Sequence, residues 1–380
     1  MKRQPLLPPL CVGVIIVCIA GDALAWSTKE HILLTRITVS RLLAREDTPA
    51  EMKAWLREAA PGLPDLAGEK DFLLHARLGP FPRGVDGIAY WAVVPDLQAL
   101  ADSGAGDRAK KVEPFGVPER ALHFIDLELF MEDESRRRFK PDLSNKPRIE
   151  DIPCDMADPR FERAGMLPFR VEQCYGELVE SLRDGRLNDR PGQFPRDDHA
   201  AKWAGYLAHY VQDNTQPHHA TVDYRSASYF TDPRTAPNVH ADMEFRLVDD
   251  EYNDFADLRV AFWEAFVKAL EDVQDPVTTE DLFRATLEVA MQSYDALPLI
   301  GQAAVVAYGA HAGGEPRRFR DFDAPAFYGF RGVYQGRELT LLELKARQMA
   351  WAVKRLEGLL LRAWRESHGD AKAPPQGSIK

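Results

Sequence analysis

The sequence predicts an all-α protein, folded as a single-domain helical bundle. Three observations predict it. Apolar residues recur at spacings of three and four along most of the chain. Alternating strand patterns with hairpin signals are nearly absent, and only FYGFRGVYQG (327–336) reads as a short ribbon. Pro- and Gly-rich stretches punctuate the apolar segments at 61–65, 79–87, 138–159 and 190–197, with no internal repeat.

Taken in order, the chain begins with a secretory signal over residues 1–25. Lys2 and Arg3 are its positive end, CVGVIIVCIAG (11–21) its apolar core, and Ala23-Leu24-Ala25 its small-x-small cleavage pattern. That core is shorter than the roughly 20 apolar residues that span a bilayer. Cleavage leaves Trp26 first and sends the chain to the periplasm or beyond. No transmembrane segment is expected in the mature chain. Helices are predicted over 31–46, 118–132, 166–184, 199–213, 258–273, 278–297 and 338–366. The stretch 138–159 reads as a surface excursion. One domain therefore covers 26–367, and 368–380 is a polar, disordered tail.

The mature chain carries 46 basic and 58 acidic residues, a net charge of −12. This excludes a broad basic surface for gripping duplex nucleic acid, but not a small positive pocket. Two cysteines leave with the signal. Cys154 and Cys174 remain, and a single disulfide between them is the expectation for an oxidising compartment. No CxxC spacing offers a thiolate metal site, and no GxSxG marks a serine nucleophile.

Histidines and acids are gathered. HYVQDNTQPHH (209–219) sets His209 and Asp213 one helical turn apart, on one face. Pro217 ends that helix, and His218 and His219 follow. NVHADMEF (238–245) repeats the spacing with His240 and Glu244. Two such pairs of imidazole and carboxylate suit a multinuclear zinc site in a helical bundle. Upstream, Asp96 follows a proline in YWAVVPDLQ, His123 lies in ALHFIDLELF, and His31 opens the first helix. His199 is expected at the surface.

These residues, in this order, resemble the zinc-dependent phospholipase C and single-strand-specific nuclease superfamily. HxxxDxxxxxH at 209–213–219 and the Trp that follows the cleavage site carry the resemblance. It implies a trinuclear zinc centre in an all-helical domain. Trp26 would chelate through its free α-amino group and carbonyl, joined by His31 and one oxygen of Asp213. Asp96, His123, His209 and the other Asp213 oxygen would hold the second zinc. His219, His240 and Glu244 would hold the third. Gln212 departs from the small residue common before the bridging aspartate, and Asp86 is the alternative to Asp96.

The implied activity is hydrolysis of a phosphodiester by a metal-activated water, with Asp96 as proton acceptor. Glu244, where nucleases usually carry Asp, leans the reading toward a phospholipase C-like enzyme. YWAVV and ASYF (227–230) would then line the cleft. The alternative is a single-strand nuclease, with Phe124 and Asp126 at positions that stack and hydrogen-bond a base. A third reading is a secreted, non-catalytic zinc-binding protein. Phospholipid or single-stranded nucleic acid is the expected substrate, and no stable protein partner is inferred.

Overall fold

A computed structural model describes residues 27–59, 87–103, 105, 108–131, 146–187, 199–248, 256–275, 279–309 and 322–369. The signal, Trp26, Asp86 and residues 370–380 lie outside them. The described chain is mostly helical. Its helices are α1 (Thr28–Ala44), α2 (Ala50–Ala59), α3 (Gly87–Trp91), α4 (Val94–Ser103), α5 (Phe161–Ala164), α6 (Leu167–Arg183) and α7 (Ala200–Asp213). After these come α8 (Val239–Phe245), α9 (Ala256–Asp272), α10 (Leu282–Tyr294), α11 (Leu297–Tyr308), α12 (Ala324–Gly329) and α13 (Leu341–Ser367). No helix among the described residues is long and apolar enough to cross a membrane.

The main helices form for local reasons. Ser27 caps α1 and Glu30 returns the bond to the Ser27 amide, a reciprocal capping box. Thr340 and Glu343 do the same for α13. The pattern at 278–297 forms α10, shorter at both ends, and α11, which the sequence pattern did not place, follows with Pro298 in its first turn.

The segment 118–132 is not an α-helix. It forms two 3-10 turns, Glu119–Leu122 and Leu127–Phe130. Its amides are spent elsewhere: Ile125 donates to the His219 carbonyl at 2.8 Å and Asp126 to the Ala164 carbonyl at 2.7 Å. Tertiary pairing has displaced the helical ladder.

Among the described residues, strand is confined to two antiparallel pairs. Lys111–Val112 (β1) pairs with Val117–Pro118 (β2), which the sequence did not announce. Arg331–Tyr334 (β3) pairs with Arg337–Thr340 (β4). Gln335 and Gly336 between them both have positive φ, the conformation of a two-residue hairpin. The expected ribbon thus lies at 331–340, and residues 324–329 are helical.

Two apolar lobes share the molecule. One packs α2, α3, α6 and α7 with the C-terminal half of α13, around Trp55, Phe161, Leu207 and Trp364. The other packs α9, α11 and α12 with the N-terminal half of α13, around Phe262, Ile300, Phe327 and Met349. Helix α1 also divides, with Leu34 and Ile37 in one lobe and Val39 and Leu42 in the other. Trp91, Ala92 and Val93 of YWAVV are buried core, while Tyr90 and Val94 are half-buried; of ASYF only Phe230 is buried, and Ala227, Ser228 and Tyr229 are half-buried.

The expected disulfide is absent. Cys174 is buried within α6, Cys154 is exposed, and both thiols are free. His199 is also not a surface residue. It is 2 % exposed, caps α7 by accepting from the Lys202 amide at 3.3 Å, and meets the Trp91 ring edge-on.

Candidate metal centre

Eight of the nine expected ligands fall on described residues, and the fold brings all eight together. His31 lies in the first turn of α1 and Asp96 in the first turn of α4. His123 follows the first 3-10 turn, where the lost helix lets the backbone bend toward α7. His209 and Asp213 point from the last turns of α7. His219 sits in the turn Pro217–Ala220, and His240 and Glu244 share one face of α8. Three groups result: His31 with His209 and Asp213, Asp96 with His123 and His209, and His219 with His240 and Glu244. His209 belongs to two of them, which fuses the first two groups into one.

The spacing suits metal coordination. Four ligands about 2.1 Å from a tetrahedral zinc stand about 3.4 Å from one another. His31 Nε2 lies 3.4 Å from Asp213 Oδ1 and 3.8 Å from Asp96 Oδ2. His209 Nε2 lies 3.2 Å from Asp213 Oδ2, 3.7 Å from Asp96 Oδ1 and 3.0 Å from His123 Nδ1. His123 Nδ1 lies 3.0 Å from Asp213 Oδ2. In the third group, His219 Nε2 is 3.1 Å from His240 Nε2 and 3.9 Å from Glu244 Oε1, and His240 Nε2 also touches that oxygen.

Burial makes the arrangement demanding. None of the eight side chains is more than 4 % exposed. Yet His31 Nε2, Asp96 Oδ1, both oxygens of Asp213 and Glu244 Oε2 make no hydrogen bond. Buried polar atoms without partners are rare, and five converging on one place fit a site for cations.

The imidazoles are oriented from behind. His209 Nδ1 donates to the Ala92 carbonyl at 2.7 Å, His219 Nδ1 to the His123 carbonyl at 2.6 Å, and His31 Nδ1 to Gln212 Oε1 at 2.6 Å. Each of these bonds leaves Nε2 facing the cluster. This is how metal-binding histidines are usually held. Gln212 is therefore an orienting residue: its amide bridges His31 and Thr35 Oγ1, the latter at 3.0 Å. Gln216 Nε2 donates to Glu244 Oε1 at 3.2 Å in the same role. The close helix approach expected at position 212 occurs at Gly205. A Cβ there would stand 2.3 Å from Trp91 Cβ and 2.5 Å from the Ile88 carbonyl. That approach brings the Ala92 carbonyl to His209.

Charges differ along the cluster. Burial works against the protonated forms of His31 and His123, but the close, oppositely charged Asp213 carboxylate overcomes it and raises both pKa values. Burial likewise opposes ionisation of Asp213, and the surrounding histidines hold its carboxyl well below the usual range. Burial pushes His209, His219 and His240 down and Glu244 well up, the last helped by the charge of Glu30. A bound cation would take the place of the protons at His31 and His123.

Phe124 and Asp126 are half-buried beside the cluster. The Phe124 carbonyl and ring press on Gly165, where φ is +90° and a Cβ would come within 2.2 Å of that carbonyl. Burial, then the charge of Glu128, raises the Asp126 pKa well above the usual carboxylate range. Leu97, next to Asp96, is 53 % exposed, and Leu100 one turn on is 47 % exposed. Tyr224 is exposed and meets the His240 ring edge-on. His75 and His311 lie outside the described residues.

No known protein family model matches the chain, and no characterised protein matches it significantly.

Proposed function

We propose that the protein is a secreted zinc-dependent hydrolase of phosphodiesters, with a helical fold of the phospholipase C and single-strand nuclease type. The observation that carries the reading is the convergence of eight buried ligand side chains, spaced as coordinating atoms are and partly without hydrogen-bond partners. The donor set of five imidazoles and three carboxylates, with no thiolate, is that of hydrolytic zinc sites rather than of closed structural ones. His31, Asp96, His123, His209, Asp213, His219, His240 and Glu244 would hold three ions, with the Trp26 terminus as the remaining ligand. Zinc bound there supplies positive charge for a phosphodiester anion and acidifies water toward neutrality.

The protein's own part is to position and to move protons. Gln212 and the Ala92 and His123 carbonyls fix the imidazoles, and Gln216 fixes the Glu244 carboxylate. Asp96 Oδ1, buried and without a hydrogen bond, is the atom that would accept a proton from water. Leu97 and Leu100 give α4 an apolar exposed face next to Asp96, which favours a phospholipid over nucleic acid. The alternative, a single-strand nuclease, rests on the half-buried Phe124 next to His123.

Purified mature protein tested against phosphatidylcholine vesicles, single-stranded DNA and RNA decides between them. Diglyceride release, lost on chelation and restored by zinc, is expected. With Phe124→Ala that rate stays within about threefold, since stacking is needed only for bases. Much faster cleavage of single strands, abolished by Phe124→Ala, would replace the phospholipase reading. Stoichiometric zinc without hydrolysis of any phosphodiester would leave a non-catalytic zinc-binding protein.

A further inference from the structure

Lys345 on α13 has no exposed surface. Its ammonium lies 2.6 Å from Glu30 Oε1 and donates to the carbonyls of Met243 and Glu244, the latter at 3.3 Å. A buried ion pair is often no more stable than apolar side chains of the same volume. The flanking Leu344 and Ala346 are themselves fully buried core residues, so packing alone does not ask for a lysine. What the contacts share is their place. Glu30 precedes His31, and its other oxygen accepts from the Ser27 amide at 3.2 Å. Met243 and Glu244 stand in the last turn of α8, where helix carbonyls lack partners within the helix. One ammonium thus joins the first turn of α1 to the last turn of α8, and these turns carry ligands from opposite ends of the cluster.

Electrostatics needs the same cation. The Lys345 ammonium stands against both segments, pairing with the Glu30 carboxylate on one side and the last-turn carbonyls of α8 on the other. A neutral side chain at 345 would leave the Glu30 carboxylate and the Met243 and Glu244 carbonyls without their shared cation in a dry interior, and nothing would then tie α1 to α8 at this point.

We propose that Lys345 is a positioning residue of the cluster: by pairing with Glu30 and capping α8, it holds the His31 and Glu244 ligands in register with the ligands between them. The inference rests on the metal-centre reading above. It concerns placement and makes no use of the reaction.

The test is cobalt(II) titration of the mature protein, followed by its visible spectrum, for wild type, Lys345→Met and the double variant Glu30→Gln/Lys345→Met. His123→Ala and Glu244→Gln assign the binding steps to their groups. Both Lys345 variants are expected to bind cobalt roughly 10–100-fold more weakly at the His31 and Glu244 ends, the range for loss of an outer partner. Binding at Asp96, His123 and His209 should stay within about threefold. The double variant leaves no lone buried charge, so it remains readable where Lys345→Met alone fails to fold. A folded double variant with wild-type affinity at every step overturns the proposal. So does an equal loss at every step, which is what general loosening of the fold would give. Wild type that takes up no cobalt overturns the metal-centre reading, and the proposal with it, so the two failures are told apart by the wild type.

Discussion

At Asp213 three imidazoles surround one carboxylate; at Glu244 two imidazoles face one carboxylate with Glu30 nearby. Both groups are fully buried and both use the same residue types, yet they hold protons differently. Burial alone lowers every histidine and raises every acid. Around Asp213 mutual attraction overcomes burial, so His31 and His123 rise and Asp213 falls. Around Glu244 a second carboxylate adds to burial, so Glu244 rises and His240 falls. Local charge balance, not depth, decides where protons are held: on the imidazoles of His31 and His123 at the first end, on the Glu244 carboxyl at the second.

The sharpest break of this comparison is Asp213→Asn against Glu244→Gln in metal-free protein. Asp213→Asn strands protonated histidines and should lower stability by about 3–5 kcal/mol. Glu244→Gln replaces a protonated carboxyl with a neutral amide and should stay within about 1 kcal/mol. Denaturant unfolding after chelation measures both, and similar losses would dissolve the distinction. The sign with pH follows. A depressed Asp213 contributes above its unfolded value of 3.8 and is lost as pH falls through its folded pKa. Raised His31 and His123 contribute fully below 6.5 and are lost as pH rises through their folded values. The Asp213→Asn deficit should therefore be greatest near pH 5–6 and shrink in alkali.

Gly205→Ala probes one end only. Its new Cβ meets backbone and Cβ atoms of α3, so α3 and α7 must part and the His209 bond to Ala92 must lengthen. A loss of about 1–3 kcal/mol is expected, as for an overpacked core. Cobalt binding should weaken on the Asp213 side and hold at Glu244. Equal weakening at both ends would show that the ends are coupled through α7.

A smaller effect sets the baseline. Burial and then the charge of Asp281 push Glu172 on α6, far along the chain from either group, up to about 7. Its folded form holds the proton more tightly than the unfolded form, so stability is lost as pH rises from 4.5 through 7. Glu172→Gln should stabilise by about 1 kcal/mol at pH 8, after discounting for solvent screening, and by nothing at pH 4. The pH profiles of the two groups compare cleanly only once this is subtracted. A Glu172→Gln melting temperature unchanged at pH 8 would remove the correction.

Much of this was legible in one sequence. Long apolar periods located α1, α6, α7, α9, α10 and α13 to within a few residues, because those faces are set by local spacing. The i, i+4 pairs at 209–213 and 240–244 placed both carboxylates beside their histidines for the same reason. What failed was decided across the chain. The pattern at 118–132 was helical, but its amides pair with His219 and Ala164. YWAVV looked like a rim, but its Trp91, Ala92 and Val93 are core, because Gly205 lets α3 sink onto α7. Gln212 read as crowding and is a ligand support, since nothing local announces that its amide reaches His31. His199 read as a surface residue because nothing local shows the Trp91 ring packed against it or its capping of α7.

Helix α13 carries a consequence that lies in time rather than space. It closes both apolar lobes and holds the partner of Glu30, so the first described helix waits for the last described one. Contacts between distant parts of a chain are slow to form. A nascent polypeptide lacking residues 341–367 lacks the α13 side of both apolar clusters and the Lys345 partner of Glu30. If the cluster holds cations as proposed, a chain stopped before residue 341 would lack the Lys345 tie between its first and last ligand-bearing helices and would offer its donors as weaker binders.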